Sequence, residues 1–252
     1  GIFGYYGIPQ KDEKFDRELD LLTHRGPDNK SSFNSYLNGK LLFFGHTRLS
    51  IFDTSSLAHQ PFIIEDKNKV IIFNGSIFNY LELRNELKKN GIIFNTNSDT
   101  EVLIHGISLF GIDYINKCNG MWAFAYYDKL EKSIYVSRDR FGIKPLYYYH
   151  DKNYFLFSSE IKPLINFLKN KVTLNYSYDH SNLFEYFSSD ETFFKDINRL
   201  EAGSNIIIKN DNLFFDKWWR TEENLVSVSS NYNDRVDHLR GLFLESTKLR
   251  LR

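Results

Sequence analysis

The sequence predicts a layered α+β fold with largely antiparallel sheets. Most of its seven strand-like segments are rich in Ile, Val, Phe and Tyr, the residues that favour strands. Some of these segments are separated by only three or four polar residues, which is typical of hairpins and therefore of antiparallel pairing. Strands and helices come in groups and do not alternate strictly. This grouping favours stacked layers over a doubly wound parallel sheet.

Each element has its own local signal. Phe15, Leu19 and Leu22 recur at helical spacing before Gly26 and Pro27, which end the helix. The predicted strands cover residues 40–44, 70–73, 121–128, 133–137, 146–150, 154–158 and 205–209. The short polar connections at 129–132 and 151–153 predict two of the hairpins.

Two central helices begin with the capping-box pattern, in which a polar capping residue is followed three residues later by Glu. The pairs are Asn79 with Glu82 and Ser98 with Glu101. Apolar stripes follow both pairs, and a glycine at 91 or 111 ends each helix. A further helix is expected from Ser159. Another amphipathic helix begins near residue 233 and continues to the last residue without a cap, so we expect a further segment after this sequence. We also expect a segment before it, because the only methionine is Met121.

Composition excludes several classes of function. The 252 residues include 32 basic and 32 acidic side chains, so no net field attracts nucleic acid or an anionic membrane surface. No apolar run approaches the ~18 residues of a membrane helix. The single cysteine, Cys118, excludes an internal disulfide and suits a reducing, cytoplasmic location. It is expected to be a structural thiol, and the histidines lack the spacing of metal ligands, so no metal site is predicted.

Three short features are ambiguous when taken one at a time. Asn74 and Gly75 follow an apolar strand, where they could form an ordinary turn or direct two N–H donors at a developing oxyanion. Arg48 could be a surface group or a planar fork for a carboxylate. Asp99, next to the cap Ser98, could simply complement the helix dipole or could bind an ammonium group.

Taken in order, the short motifs resemble one family. These motifs are residues 1–4 (GIFG), 24–28 (HRGPD), 48–51 (RLSI), 60–61 (QP), 74–75 (NG), 98–101 (SDTE), 120–121 (GM) and 138–148 (RDRFGIKPLYY). Together they resemble the glutaminase domain of glutamine-hydrolysing asparagine synthetases, which are class II glutamine amidotransferases. The resemblance extends from residue 1 to about residue 220.

The resemblance implies an N-terminal-nucleophile hydrolase fold, a four-layer α/β/β/α sandwich with two mostly antiparallel sheets. It implies a glutaminase domain at 1–210, followed at 211–252 by a linker and the first helix of an ATP-dependent synthetase domain. No cofactor is expected in the glutaminase domain, whereas ATP and Mg²⁺ would bind in a synthetase domain that this sequence does not contain. The expected partners are glutamine and the synthetase domain of the same polypeptide, with a homodimer left open and no nucleic acid or membrane.

The resemblance also assigns roles to residues. The family's nucleophile is an N-terminal cysteine that precedes the GIFG run, and no residue precedes Gly1 here. Asn74 and Gly75 would form the oxyanion hole, Arg48 would hold the glutamine carboxylate, and Asp99 would hold the ammonium group. Backbone groups complete the glutamine site at Leu49, Ser50, Ile51 and Phe52.

One departure concerns position 76, where the family usually has Glu and this sequence has Ser76. A hydroxyl replaces a carboxylate that would help to hold the ammonium group, so weaker glutamine binding is expected. Two alternatives to a glutamine-hydrolysing asparagine synthetase stay open. The chain could be a catalytically inactive glutamine-binding or scaffold homologue, or an amidotransferase that supplies a sugar or another acceptor instead of aspartate.

Overall fold

The computed structural model describes residues 1–9, 15–51, 53–64, 66, 68–175 and 190–251. Two six-stranded antiparallel sheets form its centre. The first has the order β10-β8-β9-β1-β3-β2, with β1 at Ile2–Gly7, β2 at Asn29–Leu37, β3 at Lys40–Arg48, β8 at Tyr147–His150, β9 at Tyr154–Ser158 and β10 at Asn198–Arg199. The second has the order β12-β11-β7-β6-β5-β4, with β4 at Phe62–Ile64, β5 at Lys69–Ile77, β6 at Gly120–Asp128, β7 at Ser133–Arg138, β11 at Ser204–Lys209 and β12 at Asn212–Lys217.

Helices cover the outer faces of both sheets, and among the described residues these are α1 (Asp16–Asp20), α2 (Tyr80–Lys89), α3 (Asp99–Phe110) and α4 (Ile161–Leu168). A further helix, α5 (Tyr232–Arg250), buries none of its residues. Short 3₁₀ turns lie at Thr23–Arg25, Ser56–Ala58, Ile112–Lys117, Lys169–Lys171 and Thr221–Asn224. One apolar cluster lies between the sheets. A second joins the second sheet to α2 and α3, and a third joins the first sheet to α1 and α4. The layers therefore run helix, sheet, sheet, helix, which confirms the predicted fold class.

All seven predicted strands are present, and both predicted hairpins are confirmed as β6–β7 and β8–β9. Five further strands, β1, β2, β4, β10 and β12, were not predicted. The two glycines in β1 and the polar residues along β2 weaken the strand signal in those segments. Within the described residues, no helix has both the length and the apolar composition that a membrane span requires.

The two predicted capping boxes differ in outcome. Ser98 caps α3 as expected, because its Oγ accepts from the N–H of Glu101 at 3.2 Å. The Glu101 carboxylate does not complete the box, since it accepts from the N–H groups of Asn95 and Thr96, each at 2.8 Å. The prediction of a capping box at the start of α2 is wrong. The Asn79 side chain makes no cap and instead bonds the backbone of residues 117 and 119.

Candidate active site

A cavity of about 390 Å³ opens at one end of the sandwich, where the two sheets and the start of α3 meet. Strand alternation explains which side chains reach it. Ile72 on β5 and Phe44 on β3 pack between the sheets, so a period of two places Asn74 on the same face as Ile72. The same period places His46 and Arg48 on the face of Phe44. All three polar residues line the cavity.

Arg48 is buried at the end of β3, with 6% of its surface exposed. Its Nη1 donates to the Ser55 carbonyl at 2.9 Å, and its Nη2 donates to the Asp53 carbonyl. Burial lowers the pKa of the Arg48 guanidinium, although the negative charges of Asp53 and Asp28 act to raise it. Arginine stays charged in proteins. The cavity therefore has one buried, fixed positive charge at this end of β3.

Asn74 and Gly75 lie on β5 opposite β6. The Asn74 Nδ2 donates to the Ser159 Oγ at 3.4 Å, which places this amide beside the start of the chain at Ile2, whose N–H donates to the same hydroxyl at 2.9 Å. A Cβ at position 75 would lie 2.3 Å from the Met121 carbonyl oxygen. Only glycine allows that approach of the two strands.

Asp99 begins α3 and is 4% exposed. Its Oδ2 accepts from the N–H of Ile77, the last residue of β5, at 2.9 Å. Burial raises the pKa of the Asp99 carboxyl to about 6, although hydrogen bonds from Ile77 and Thr100 act in the opposite direction. The carboxylate is therefore ionised at pH 7, but at a cost that an ammonium ligand would offset.

Gln60 and His46 also line the cavity, and the prediction gave neither a role. The Gln60 Oε1 accepts from the Phe73 N–H at 2.6 Å, and the Gln60 Nε2 donates to the Thr100 Oγ1 at 3.3 Å. The Nε2 of His46 lies 3.2 Å from the Phe73 carbonyl oxygen. One signal could have drawn attention to His46, because it interrupts the apolar face of β3. For Gln60, the only feature visible in the sequence was its position before Pro61.

The motif at 138–148 folds around one buried carboxylate. Asp139 accepts from the N–H groups of Trp122 and Phe141, both at 3.1 Å, and from those of Ile143 and Lys144, both at 3.0 Å. Four donors hold the turn after β7 in one conformation. This turn brings Lys144 to the cavity wall, where burial lowers the pKa of its ammonium group.

The Gly1 nitrogen also lies at the cavity, where it donates to the Thr47 carbonyl at 2.6 Å. Gly26 lets the 24–28 motif pack here, since a Cβ on it would lie 2.4 Å from the Thr47 carbonyl oxygen.

Cys118 lies away from this cavity, buried against the second sheet. Its Sγ is 3.8 Å from the Tyr114 carbonyl oxygen. Burial raises the pKa of the thiol to about 12, which suppresses the reactive thiolate. These surroundings agree with the structural role expected from the sequence.

The cavity brings together most of the residues that the sequence suggested. Those on its wall are Arg48, Leu49, Ile51, Asn74, Gly75 and Asp99. Ser50 and Ser76 do not line it. The Ser50 N–H donates to the Asp28 Oδ2 at 2.7 Å, and Ser76 is buried on the same face of β5 as Asn74. Phe52 lies outside the described residues. Among the residues that are described, no three His, Cys, Asp or Glu side chains are grouped so that they could hold a metal ion.

Known proteins are similar to this chain over most of its length. A model of the glutamine amidotransferase domain family matches residues 1–219. A putative glutamine-hydrolysing asparagine synthetase of Methanocaldococcus jannaschii is 32% identical over 259 residues, covering 95% of this chain and 49% of that protein. Asparagine synthetase 1 of Bacillus subtilis is also 32% identical, over 257 residues, covering 100% of this chain and 39% of that protein.

A solved structure gives the same architecture. Glutamine phosphoribosylpyrophosphate amidotransferase from B. subtilis superposes with a TM-score of 0.62 at 19% identity, over 86% of this chain and 49% of that one. At this identity the likeness concerns the fold. The chain spans half or less of the length of the curated relatives described above.

Proposed function

Because the chain belongs to the glutamine amidotransferase domain family, we propose that it binds glutamine in the cavity at the end of the sandwich and hydrolyses the side-chain amide to glutamate and ammonia. One observation carries the proposal. A buried cation, Arg48, a buried anion, Asp99, and two N–H donors, those of Asn74 and Gly75, converge on one cavity. This is the set of groups that a zwitterionic amino acid with a reactive amide requires.

The two charges bind the amino-acid end of glutamine. The Arg48 guanidinium offers parallel N–H donors to the α-carboxylate, and Asp99 accepts from the α-ammonium group. Backbone groups at Leu49 and Ile51, which line the cavity, complete the carboxylate site in this proposal. Charge-assisted hydrogen bonds in a buried site are roughly twice as strong as neutral ones, so these two contacts dominate the affinity.

The amide end of glutamine meets the oxyanion donors. A cysteine joined to the Gly1 nitrogen would stand at the cavity, with its thiol facing the amide carbon. Attack by sulfur forms a tetrahedral intermediate, whose oxyanion the Asn74 Nδ2 and the Gly75 N–H stabilise. The cysteine's free amine takes the thiol proton and passes it to the leaving nitrogen, so that ammonia departs and a thioester remains. Water then releases glutamate.

We propose that the residue at position 76 also influences this site. It shares the face of Asn74 on β5 and offers a hydroxyl where the family usually has a carboxylate. Asp99 is then left as the principal counter-charge of the substrate ammonium group. We propose that glutamine binds more weakly than it would with Glu at this position, by about 1–3 kcal/mol.

The ammonia needs an acceptor, and the names of the relatives suggest aspartate. We propose that the glutaminase unit, residues 1–210, is followed at 211–252 by a linker and a helix that lead into an ATP-dependent, Mg²⁺-dependent synthetase domain of the same cytoplasmic polypeptide. The exposed apolar residues of α5, such as Leu239, Leu242 and Phe243, support a packing partner for that helix. The sequence leaves a homodimer open.

Ser76 is also the observation that favours the alternative of a non-hydrolysing glutamine-binding homologue. The retained donors and charges of the cavity weigh against it, because binding alone does not require an oxyanion hole. A sugar as acceptor is less favoured than aspartate, since both curated relatives described above carry the name of asparagine synthetase.

Glutamine binding by calorimetry tests the substrate site. The chain that begins at Gly1 should bind glutamine without hydrolysing it. Arg48→Lys keeps the charge but loses the planar fork, so its dissociation constant should rise at least tenfold. Arg235→Lys, on the exposed face of α5, is the matched control and should leave the affinity unchanged. Equal affinity in the parent chain and in Arg48→Lys, or no binding by the folded parent chain, would overturn the assignment.

A further inference from the structure

We infer that Gln60 and His46 are positioning residues, which together hold the backbone N–H and C=O of Phe73 and so set the places of the two oxyanion donors that follow it, Asn74 and Gly75. The inference rests on the proposed function for the meaning of those donors. It adds two residues whose side chains act through the backbone of β5.

Such residues are needed because β5 is paired with a neighbouring strand over a longer stretch on one side than on the other. On one side β6 pairs with the strand as far as Ile77. On the other side β4 pairs only as far as the contact between Phe62 and Ile71. Continued in the same register, the next main-chain partner would fall at Gln60 opposite Phe73. The chain supplies a side chain at that point instead of a strand.

Gln60 satisfies the Phe73 N–H and reaches a second element at the same time. Its Oε1 is 2.6 Å from the Phe73 nitrogen, and its Nε2 is 3.3 Å from the Thr100 Oγ1. Thr100 follows Asp99 in the first turn of α3. One buried amide therefore connects the strand of the oxyanion donors to the helix that carries the proposed ammonium ligand.

His46 satisfies the Phe73 carbonyl from the opposite sheet. A carbonyl oxygen can only accept, so the Nε2 of His46 carries the proton in this 3.2 Å contact. Burial keeps the pKa of the imidazole well below its usual range, which makes the ring neutral at pH 7. His46 stands two residues before Arg48 on β3. The contact therefore connects the oxyanion strand to the strand of the proposed carboxylate ligand.

The N–H and the C=O of Phe73, which belong to two successive peptide groups, are thus held by side chains from two different parts of the fold. A shift of the Phe73 backbone moves the next two residues with it. Oxyanion donors act mainly in the transition state, and a displacement of about 1 Å can cost ~100-fold in rate. Loss of either holding side chain should therefore lower kcat much more than it raises KM.

The test uses the protein with a free cysteine immediately before Gly1. Gln60→Met removes both hydrogen bonds at similar side-chain length and should lower kcat 10- to 100-fold, with KM within about threefold of the parent value. His46→Leu should behave alike, whereas His46→Gln retains a donor near the Nε2 position and should recover most of kcat. Asn205→Leu is the control, because it removes a buried polar side chain on β11 and should leave kcat unchanged.

Hydrogen exchange measured by NMR supplies a readout independent of hydrolysis. The Phe73 amide should exchange at least tenfold faster in Gln60→Met, while the amide of Ile72 keeps its protection. If the parent protein fails to hydrolyse glutamine, the proposed function fails, and the exchange result still decides the positioning role. Unchanged Phe73 exchange, or a KM raised more than tenfold with kcat retained, would overturn the inference.

Discussion

The N–H of Ile77 donates to the carboxylate of Asp99, with the nitrogen and Oδ2 2.9 Å apart. This bond joins the end of β5 to the first turn of α3. In the proposed site, β5 carries the groups that act on the amide and α3 carries the group that binds the ammonium. The two ends of the proposed glutamine site therefore belong to one hydrogen-bonded unit, in which the Asp99 carboxylate stabilises the fold and would also bind the ligand.

Asp99→Asn should separate those two roles. The pKa of Asp99 rises from 3.8 to about 6, so ionised Asp99 costs the fold on the order of 3 kcal/mol at pH 7. Asn can still accept from the Ile77 N–H without that cost. We expect a higher melting temperature at pH 7 together with at least tenfold weaker glutamine binding.

The size of the stability effect depends on pH. The folded carboxyl takes up a proton more readily than the unfolded one, so stability falls as pH rises from about 4 to about 6. The advantage of Asp99→Asn should therefore grow over this range and vanish below pH 4. Asp237→Asn, on the exposed face of α5, should show no such trend. Melting curves at several pH values check this, and a variant less stable than the parent at pH 7 would contradict it.

Glutamine binding should weaken in acid. Below pH 6 the Asp99 carboxyl becomes protonated and loses its attraction for the ammonium group, while the charges of glutamine change little between pH 5 and 7. The dissociation constant should rise toward tenfold for each pH unit below about 6. Calorimetry on the chain that begins at Gly1 measures this directly. A flat profile from pH 5 to 7 would argue against Asp99 as the ammonium ligand.

Ser76→Glu should restore a second carboxylate to the face of β5 that carries Asn74. We expect glutamine to bind between about 5- and 150-fold more tightly, which corresponds to roughly 1–3 kcal/mol. Ser76→Gln has a similar size without the charge and should give a much smaller gain. An unchanged dissociation constant in Ser76→Glu would show that position 76 does not contribute to the ammonium site.

Cys118→Ala should leave hydrolysis intact. The thiol is buried in the cluster under α3, and burial raises its pKa to about 12. Loss of the sulfur should cost roughly 1–2 kcal/mol of stability through the cavity that it leaves. In the protein with a cysteine before Gly1, kcat and KM should match those of the parent. A loss of activity without a loss of folding would instead make Cys118 a candidate nucleophile.

Local chemistry explains what the sequence could predict. The strands at β5 and β6 are apolar runs, and Ser98 and Gly111 bound α3 as expected. β1 was missed because its glycines argue against a strand. Its Gly4 is required by packing, since a Cβ there would lie 2.1 Å from the Phe157 ring. The contact that requires this glycine is made by a residue of the neighbouring strand, which a local sequence pattern does not identify.

Some residues of the candidate site could likewise be predicted from the sequence, and others could not. Arg48, Asn74 and Asp99 stand in motifs with a recognisable order, so their meeting in one cavity could be expected from the resemblance. Gln60 could not be assigned a role, because its contact with Phe73 depends on where β4 stops. Glu101 was placed in a capping box, yet its carboxylate holds the loop before Ser98. Such contacts depend on tertiary structure.

Ammonia release from glutamine tests the central claim most directly. The protein with a free cysteine immediately before Gly1 should release glutamate and ammonia in equal amounts, and the same protein with Ala or Ser at that position, or with the chain beginning at Gly1, should not. Hydrolysis by the chain that begins at Gly1, or none by the folded cysteine-bearing protein saturated with glutamine, would contradict the account.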